Sequence, residues 1–351
     1  MKTFLLCIAV IGLFSPCLMH GQGVSKTGTT AATFLEIPVG ASAVAMGNSF
    51  VSLASDATSL YWNAAGSAWL VQSEVLAVHT NWIADTRFDY AAFVLPVEDF
   101  GTLGVNFTSL SMDDMKVTTV EKPEGTGEYF SAGDLALGLS FAHRLTDRFT
   151  IGFNAKYIQQ RIWHESATAF AVDVGTIFRT DIIGGLTIGA SLSNFGTPMT
   201  MSGRDARQFG MLDPTKPGTN SQIPMNIEMD SWDLPLLFQI GVSTTPLKTD
   251  NYRLTVATDA LDPSDDYQSV NVGGEFVFEE MLFLRAGFQS IFKGGQKPFG
   301  QDPNQPGGLS FGVGVSSGSF LSSGTTIKFD YAFRDMGRLS SINVFSLSVR
   351  F

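Results

Sequence analysis

The sequence predicts an all-β protein, a fourteen-stranded antiparallel transmembrane β-barrel with a small N-terminal helical hatch. Three observations predict it. Apolar and polar residues alternate along most of the chain. One face of each alternating segment lacks charge at its centre. The links between segments sort by length.

Residues 1–21 read as a signal peptide. Lys2 precedes an apolar run from Phe4 to Phe14, and a more polar stretch closes on His20-Gly21-Gln22-Gly23. The run is too short to cross a bilayer as a helix. The alternative is a lipoprotein signal lipidated at Cys17, which the preceding Phe14-Ser15-Pro16 fits poorly. Both cysteines, Cys7 and Cys17, lie in this segment, so the exported chain would hold no disulfide, thiol nucleophile or cysteine metal site. The net charge of −11 argues against nucleic acid as a partner, because phosphate binding needs a basic surface.

Residues 22–73 precede the first strand and have no place in a wall; they form the candidate hatch or plug. Within "DATSLYWNAAGSAWL", Ser55 or Asp56 caps a helix running toward Trp69. The plainer reading is a short packing helix.

From residue 74 to 351 the period is two. Phe149, Ile151, Phe153, Ala155 and Tyr157 share one face, with Thr150, Gly152, Asn154 and Lys156 on the other. The same pattern marks strands near 74–82, 87–95, 101–110, 133–143, 148–162, 168–179, 185–194, 235–244, 252–260, 268–278, 281–291, 309–316, 324–334 and 342–351. Several have the length of a tilted bilayer-crossing strand. A Lys or Arg facing lipid at mid-bilayer costs roughly 2–4 kcal/mol, so the charged face belongs inside. That face is read to carry Arg87, Asp89, Asn106, Asp134, Asn154, Lys156, Asp173, Arg179, Arg253, Asp259, Glu275, Arg285, Lys328 and Asp330. Trp82, Phe88, Phe141, Tyr157, Trp163 and Phe292 suit aromatic girdles.

Links after even-numbered strands are tight, as at Pro96 to Phe100 and Asp181 to Gly184. The long links, about 111–132, 195–234 and 292–308, all fall among the odd ones. Outer-membrane barrels sort their loops this way, long outside and short inside. The chain closes on Phe345, Leu347, Val349 and Phe351 at alternate positions. That ending resembles the C-terminal insertion signal of bacterial outer-membrane proteins. The expected location is therefore the outer membrane, with its lipid as the first partner.

Catalytic patterns are sparse. His79, His143 and His164 sit apart, without metal-ligand spacing. There is no nucleophile elbow and no phosphate-binding loop. Asp262, Asp265 and Asp266 lack the spacing of a calcium loop and read as a solvated outer link. No enzyme, metal or cofactor is expected. Met112, Met115, Tyr129 and Phe130 in one long link, and Phe209, Met211 and Trp232 in another, are candidate partner-binding residues. Methionine-rich surfaces adapt to partners; packing over the barrel mouth is the competing reading.

The hatch carries further words. Thr33-Phe34-Leu35-Glu36-Ile37-Pro38-Val39-Gly40-Ala41, Ala45-Met46-Gly47, Asp56-Ala57 and Tyr61-Trp62-Asn63-Ala64-Ala65-Gly66 resemble the N-terminus of the PorV/PorQ family. So do Gly125-Thr126-Gly127-Glu128-Tyr129-Phe130-Ser131-Ala132-Gly133-Asp134 and Leu145-Thr146-Asp147-Arg148-Phe149. The resemblance implies a role in type IX protein secretion, binding cargo C-terminal domains or translocon components at outer loops. The family is similar in turn to FadL-type barrels, which implies the alternative of hatch-gated transport of small hydrophobic compounds. Asp56, Tyr61, Trp62, Asn63 and Gly66 are then the hatch motif. Both groups typically have proline where this chain has Ala64, which leaves open how the hatch is kinked.

Overall fold

A computed structural model describes residues 27–182, 184–211, 215, 220–293, 308–318 and 324–351. The signal-peptide segment lies outside the described residues. Fourteen long strands form the wall. They are β1 Glu74–Asn81, β2 Arg87–Val97, β3 Gly101–Ser111, β4 Ala132–Arg144, β5 Phe149–Ile162, β6 Glu165–Thr180 and β7 Leu186–Gly196. The second half holds β8 Leu237–Lys248, β9 Tyr252–Pro263, β10 Ser269–Phe278, β11 Leu282–Lys293, β12 Leu309–Ser316, β13 Thr326–Asp335 and β14 Ser341–Arg350.

Each strand pairs antiparallel with the next, and β14 pairs with β1 to close the ring, Glu74 opposite Arg350 and Asn81 opposite Asn343. Closure leaves no unpaired edge, as a spanning sheet requires. Ser73 and Phe351 exchange backbone hydrogen bonds and lock the seam.

The wall is apolar outside and polar within. Leu139 and Phe170 point outward at 68% and 65% exposure, while Asn154 and Asp173 point inward at 1% and 7%. A water-soluble sandwich hides its apolar face; here that face is the exposed one, as lipid contact demands. Glu275, Arg285, Lys328 and Asp330 all face the lumen, as their alternation predicts.

β2 overturns part of that expectation. Phe88, Tyr90, Ala92 and Val94 are its buried lumen face, so Arg87 and Asp89 project outward instead. Phe88, 0% exposed, is core and not girdle. The cause is local: β1 and β2 are apolar toward the lumen because the plug lies against them. Outward at the rim, Asp89 meets His79 at 2.7 Å and Arg87 meets Asp113 at 2.5 Å.

The link-length rule holds with one departure. Among the even links, 317–325 runs longer than its neighbours 98–100, 145–148, 181–185, 249–251 and 279–281. Two of the long odd links, near 111–132 and 195–234, carry short paired segments of their own.

Residues 27–73 lie within the lumen. They contain a 3-10 turn Thr33–Glu36, helix α1 Ala41–Ala45, helix α2 Ser59–Trp62 and a second 3-10 turn Ala64–Trp69. α1 packs on β11–β14 and the second turn on β3–β6, so the segment spans the barrel from wall to wall. Phe34, Val39, Val44 and Leu60 are buried in one apolar cluster with Leu76, Val78, Phe88 and Ile342 of the wall. Each such side chain stabilises by about 1.5–3 kcal/mol on burial.

Candidate functional site

The hatch motif is an architectural joint. The single helix expected from Asp56 toward Trp69 is two pieces, broken at Asn63, whose backbone is extended at φ −165 and ψ 99. No proline makes the break; the Asn63 side chain does. Its Oδ1 accepts from the Ala65 amide at 3.2 Å. Its Nδ2 donates to Val51 O and Thr176 O, each at 3.0 Å, and lies 3.4 Å from Ala190 O. One buried amide thus ties two parts of the plug to β6 and β7.

The other motif residues serve the same joint. Asp56 Oδ1 accepts from the Thr58 amide at 2.9 Å and from its hydroxyl, fixing the turn into α2. Tyr61 donates to Leu35 O at 3.1 Å, and Trp62 Nε1 donates to Val39 O at 2.8 Å. Their rings meet edge to face at 5.1 Å. Burial raises the Tyr61 phenol above its ordinary range, so it stays a donor. A Cβ on Gly66 would fall 1.9 Å from Ala54 O, so only glycine fits there.

Alternation alone did not announce the wall's half of the joint. Asp259 is fully buried and accepts from Phe50 N at 2.7 Å and Val51 N at 2.9 Å. Asn154 donates to Leu60 O at 3.2 Å and to Asp173 at 3.0 Å. Lys156 pairs with Asp173 at 2.7 Å. Inward polar residues on a barrel strand were the signal, but sequence gives no partner for them.

Two cavities flank the plug. The larger, about 1000 Å³, opens on the short-turn side. Arg285 spans its wall, donating to Glu275 at 2.8 Å and Asp330 at 2.7 Å. The second, about 500 Å³, lies at the outer mouth between the plug and β7–β11. Asp265 lines it and is 5% exposed, with Thr30 donating to it at 2.7 Å. This residue is buried, against the solvated link expected for it. The plug covers it. Asp262 faces outward and is exposed, as expected.

Among the described residues the histidines stand apart. His79 faces outward on β1, His143 caps the far end of β4, and His164 lies in the β5–β6 link beside Asp205. Among the described residues no group of His, Cys, Asp and Glu side chains gathers as metal ligands.

Comparison with protein families places the molecule. The model described as "Type IX secretion system protein PorV" matches residues 21–202. The chain belongs to the PorV family. No curated protein sequence matches it. Solved structures share the fold at low identity. The Pseudomonas putida toluene transporter TodX matches with TM-score 0.53 at 10% identity, covering 89% of this chain and 97% of its own. The Ralstonia pickettii toluene transporter TbuX matches with TM-score 0.52 at 12% identity, covering 89% and 98%. The monoaromatic hydrocarbon channel CymD matches with TM-score 0.50 at 11% identity, covering 90% and 97%. This PorV-family barrel is an outer-membrane protein.

PorV-family membership directs attention to the outer loops. Met115 and Lys116 pair with Phe130 and Tyr129 in a small hairpin. Met115 and Tyr129 are exposed, while Met112 and Phe130 are half-buried. In the longer link, Arg207–Gly210 pairs with Ile223–Asn226, and Met199–Thr200 with Ser231–Trp232. Phe209, Met211 and Trp232 are 68%, 43% and 47% exposed, whereas Met199 is buried. The loop therefore does both things sequence left open, packing one face over the mouth and offering another outward. At the other end, Phe345, Leu347 and Phe351 are exposed on the lipid side of the seam strand, with Val349 half-buried.

Proposed function

We propose that this barrel acts non-enzymatically in type IX protein secretion, binding cargo C-terminal domains or translocon components at its outer loops. The observation that carries the reading is the exposure of Phe209, Met211 and Trp232 in one outer link. Phe209 and Trp232 stand exposed on two paired segments of that link, and Met211 directly follows the first. Large apolar side chains exposed in an outer link suit a partner surface, and aromatic anchors dominate binding energy. In this reading residues 22–73 are a resident plug, 74–351 the barrel, and Phe345, Leu347, Val349 and Phe351 the insertion signal.

The test is a deletion strain complemented with F209A/M211A/W232A. Surface and secreted proteins should fall toward the deletion level, and co-purifying secretion components should be lost, with barrel assembly unchanged. Unchanged secretion would sink the proposal.

The FadL-like alternative, passage of small hydrophobic compounds past a moving hatch, gains support from the fold it shares with those barrels. It asks for an apolar path. Both cavities beside the plug carry charged side chains, which favours the secretion reading.

A further inference from the structure

We propose that the outer-mouth cavity binds an uncharged, polyhydroxylated ring, a mono- or disaccharide unit, held by Gln239 and by side chains that two β-bulges turn inward. The site lies apart from the exposed loop residues and does not depend on the secretion reading.

The wall departs from its own rule to make this cavity. Alternation turns every second residue inward. On two strands, however, consecutive residues both line the cavity: Ser193 and Asn194 on β7, Gln289 and Ser290 on β11. Each pair sits in a bulge. The β6–β7 register shifts between Val172 and Val174, and the β10–β11 register between Val270 and Val272. Asn194 and Ser290 take positive φ, 64° and 56°. Both bulges are fixed in the same way. Asp173 Oδ1 accepts from Asn194 N at 2.7 Å, and Asn271 Oδ1 accepts from Ser290 N at 2.8 Å. Bulges re-aim side chains, and left-handed backbone at residues other than glycine gathers at functional sites.

Gln239, on β8 between the two bulged strands, supplies the deciding observation. It is 3% exposed and lines the cavity. Among the described residues its amide has no hydrogen-bond partner, and it is open to the cavity. A polar side chain this buried normally has a partner. Gln289 adds a second amide. Its Oε1 accepts from Asn48 Nδ2 at 3.2 Å, while its Nε2 has no acceptor among the described residues. The hydroxyls of Ser193 and Ser290 are likewise uncommitted.

The lining selects a neutral ligand because its charges are engaged with one another. Lys156 meets Asp173 at 2.7 Å, Lys293 meets Asp266 at 2.5 Å, and the Glu36 and Asp265 carboxyls share a hydrogen bond. Two amides and two hydroxyls remain. Both group types donate and accept, and ring hydroxyls do the same in return. Tyr61, Leu237 and Leu261 offer apolar surface to the C–H faces of such a ring. About 500 Å³ is the volume of a small-molecule site. A peptide would gain most by extending a sheet edge, and the closed wall has none.

The experiment is saturation-transfer NMR titration of the full exported protein in lauryldimethylamine oxide, a detergent without a sugar headgroup. The probes are maltose and the methyl glycosides of glucose, galactose, mannose and N-acetylglucosamine. Phenethyl alcohol and tetraglycine are the comparisons. At least one saccharide should saturate, and neither comparison should. Q239L and Q289L should each weaken that saccharide at least tenfold, while D262N, on the outward face, leaves it unchanged. Added sodium chloride should not alter the affinity, because no uncompensated charge takes part. Heat-modifiable electrophoretic migration checks that each variant is folded. Q289L also strips Asn48 of its acceptor, so if it fails that check, Q239L decides. Saturation by none of the saccharides would overturn the proposal. So would unchanged affinity in folded Q239L, equal binding of phenethyl alcohol, or displacement of the saccharide by tetraglycine, which would assign the cavity to peptide.

Discussion

The lumen has two unlike sides. On β1, β2 and β14 the inward residues include Leu76, Val78, Phe88, Val94, Ile342 and Val344, all buried in one cluster with the plug. On β10, β11 and β13 they include Glu275, Arg285, Lys328 and Asp330, joined in ion pairs along the cavity of about 1000 Å³. One strand pattern serves both, yet the first side behaves as a protein core and the second as a vestibule wall. The difference teaches where the plug is anchored. Side-chain packing holds it on the β1 side. On the far side its backbone lies directly on the wall, with charges below.

The largest expected effect tests that backbone contact. A Cβ on Gly287 would come within 2.1 Å of Gly47 N and 2.2 Å of Met46 C. Gly287→Leu must push the chain after α1 off β11. A loss of more than about 4 kcal/mol is expected, the range reserved for named structural failures. The readout is loss of the heat-modifiable compact band, or proteolysis within 27–73.

The next two substitutions set the sides against each other. Phe88→Ala, at a site 0% exposed, should cost about 3–5 kcal/mol. Arg285→Ala leaves Glu275 and Asp330 without their shared partner and should cost a similar 3–5 kcal/mol at most. Stability alone would not separate them; protease access would. Phe88→Ala should expose the plug to nicking at denaturant levels where the wall persists. Arg285→Ala should weaken wall and plug together. Plug release in Arg285→Ala alone would reverse the assignment of the anchor.

Much of this was legible in the sequence, for a physical reason. Lipid on one side and a polar lumen on the other impose a strict period of two, so β5, β10, β11 and β13 could be read with their faces. β2 was misread because the rule names the charged face as the inner one. Where a plug replaces water the inner face turns apolar, and Arg87 and Asp89 go outward. The joint was half legible. Asn63 stood out by its setting, but its acceptors, Thr176 O and Ala190 O, lie on strands far along the chain. Asp265 was missed because burial by the plug has no local signature.

The smallest effect concerns Ala64, where the family usually has proline. The structure removes the conflict that this substitution raised. Asn63, the residue before it, is already extended, the conformation that a following proline enforces. Ala64 is the first residue of the second 3-10 turn, where the amide has no acceptor within the turn and proline is well tolerated. Ala64→Pro should therefore change stability by less than about 1 kcal/mol, and by loss of unfolded-chain entropy could even stabilise. Asn63→Ala should cost far more, since it strips the hydrogen bonds that hold the break open to β6 and β7. If urea titration instead finds Ala64→Pro costly and Asn63→Ala silent, the kink owes its shape to packing around Ala64. The Asn63 amide would then be a passenger, and the plug's hold on the β6–β7 wall would have to come from elsewhere.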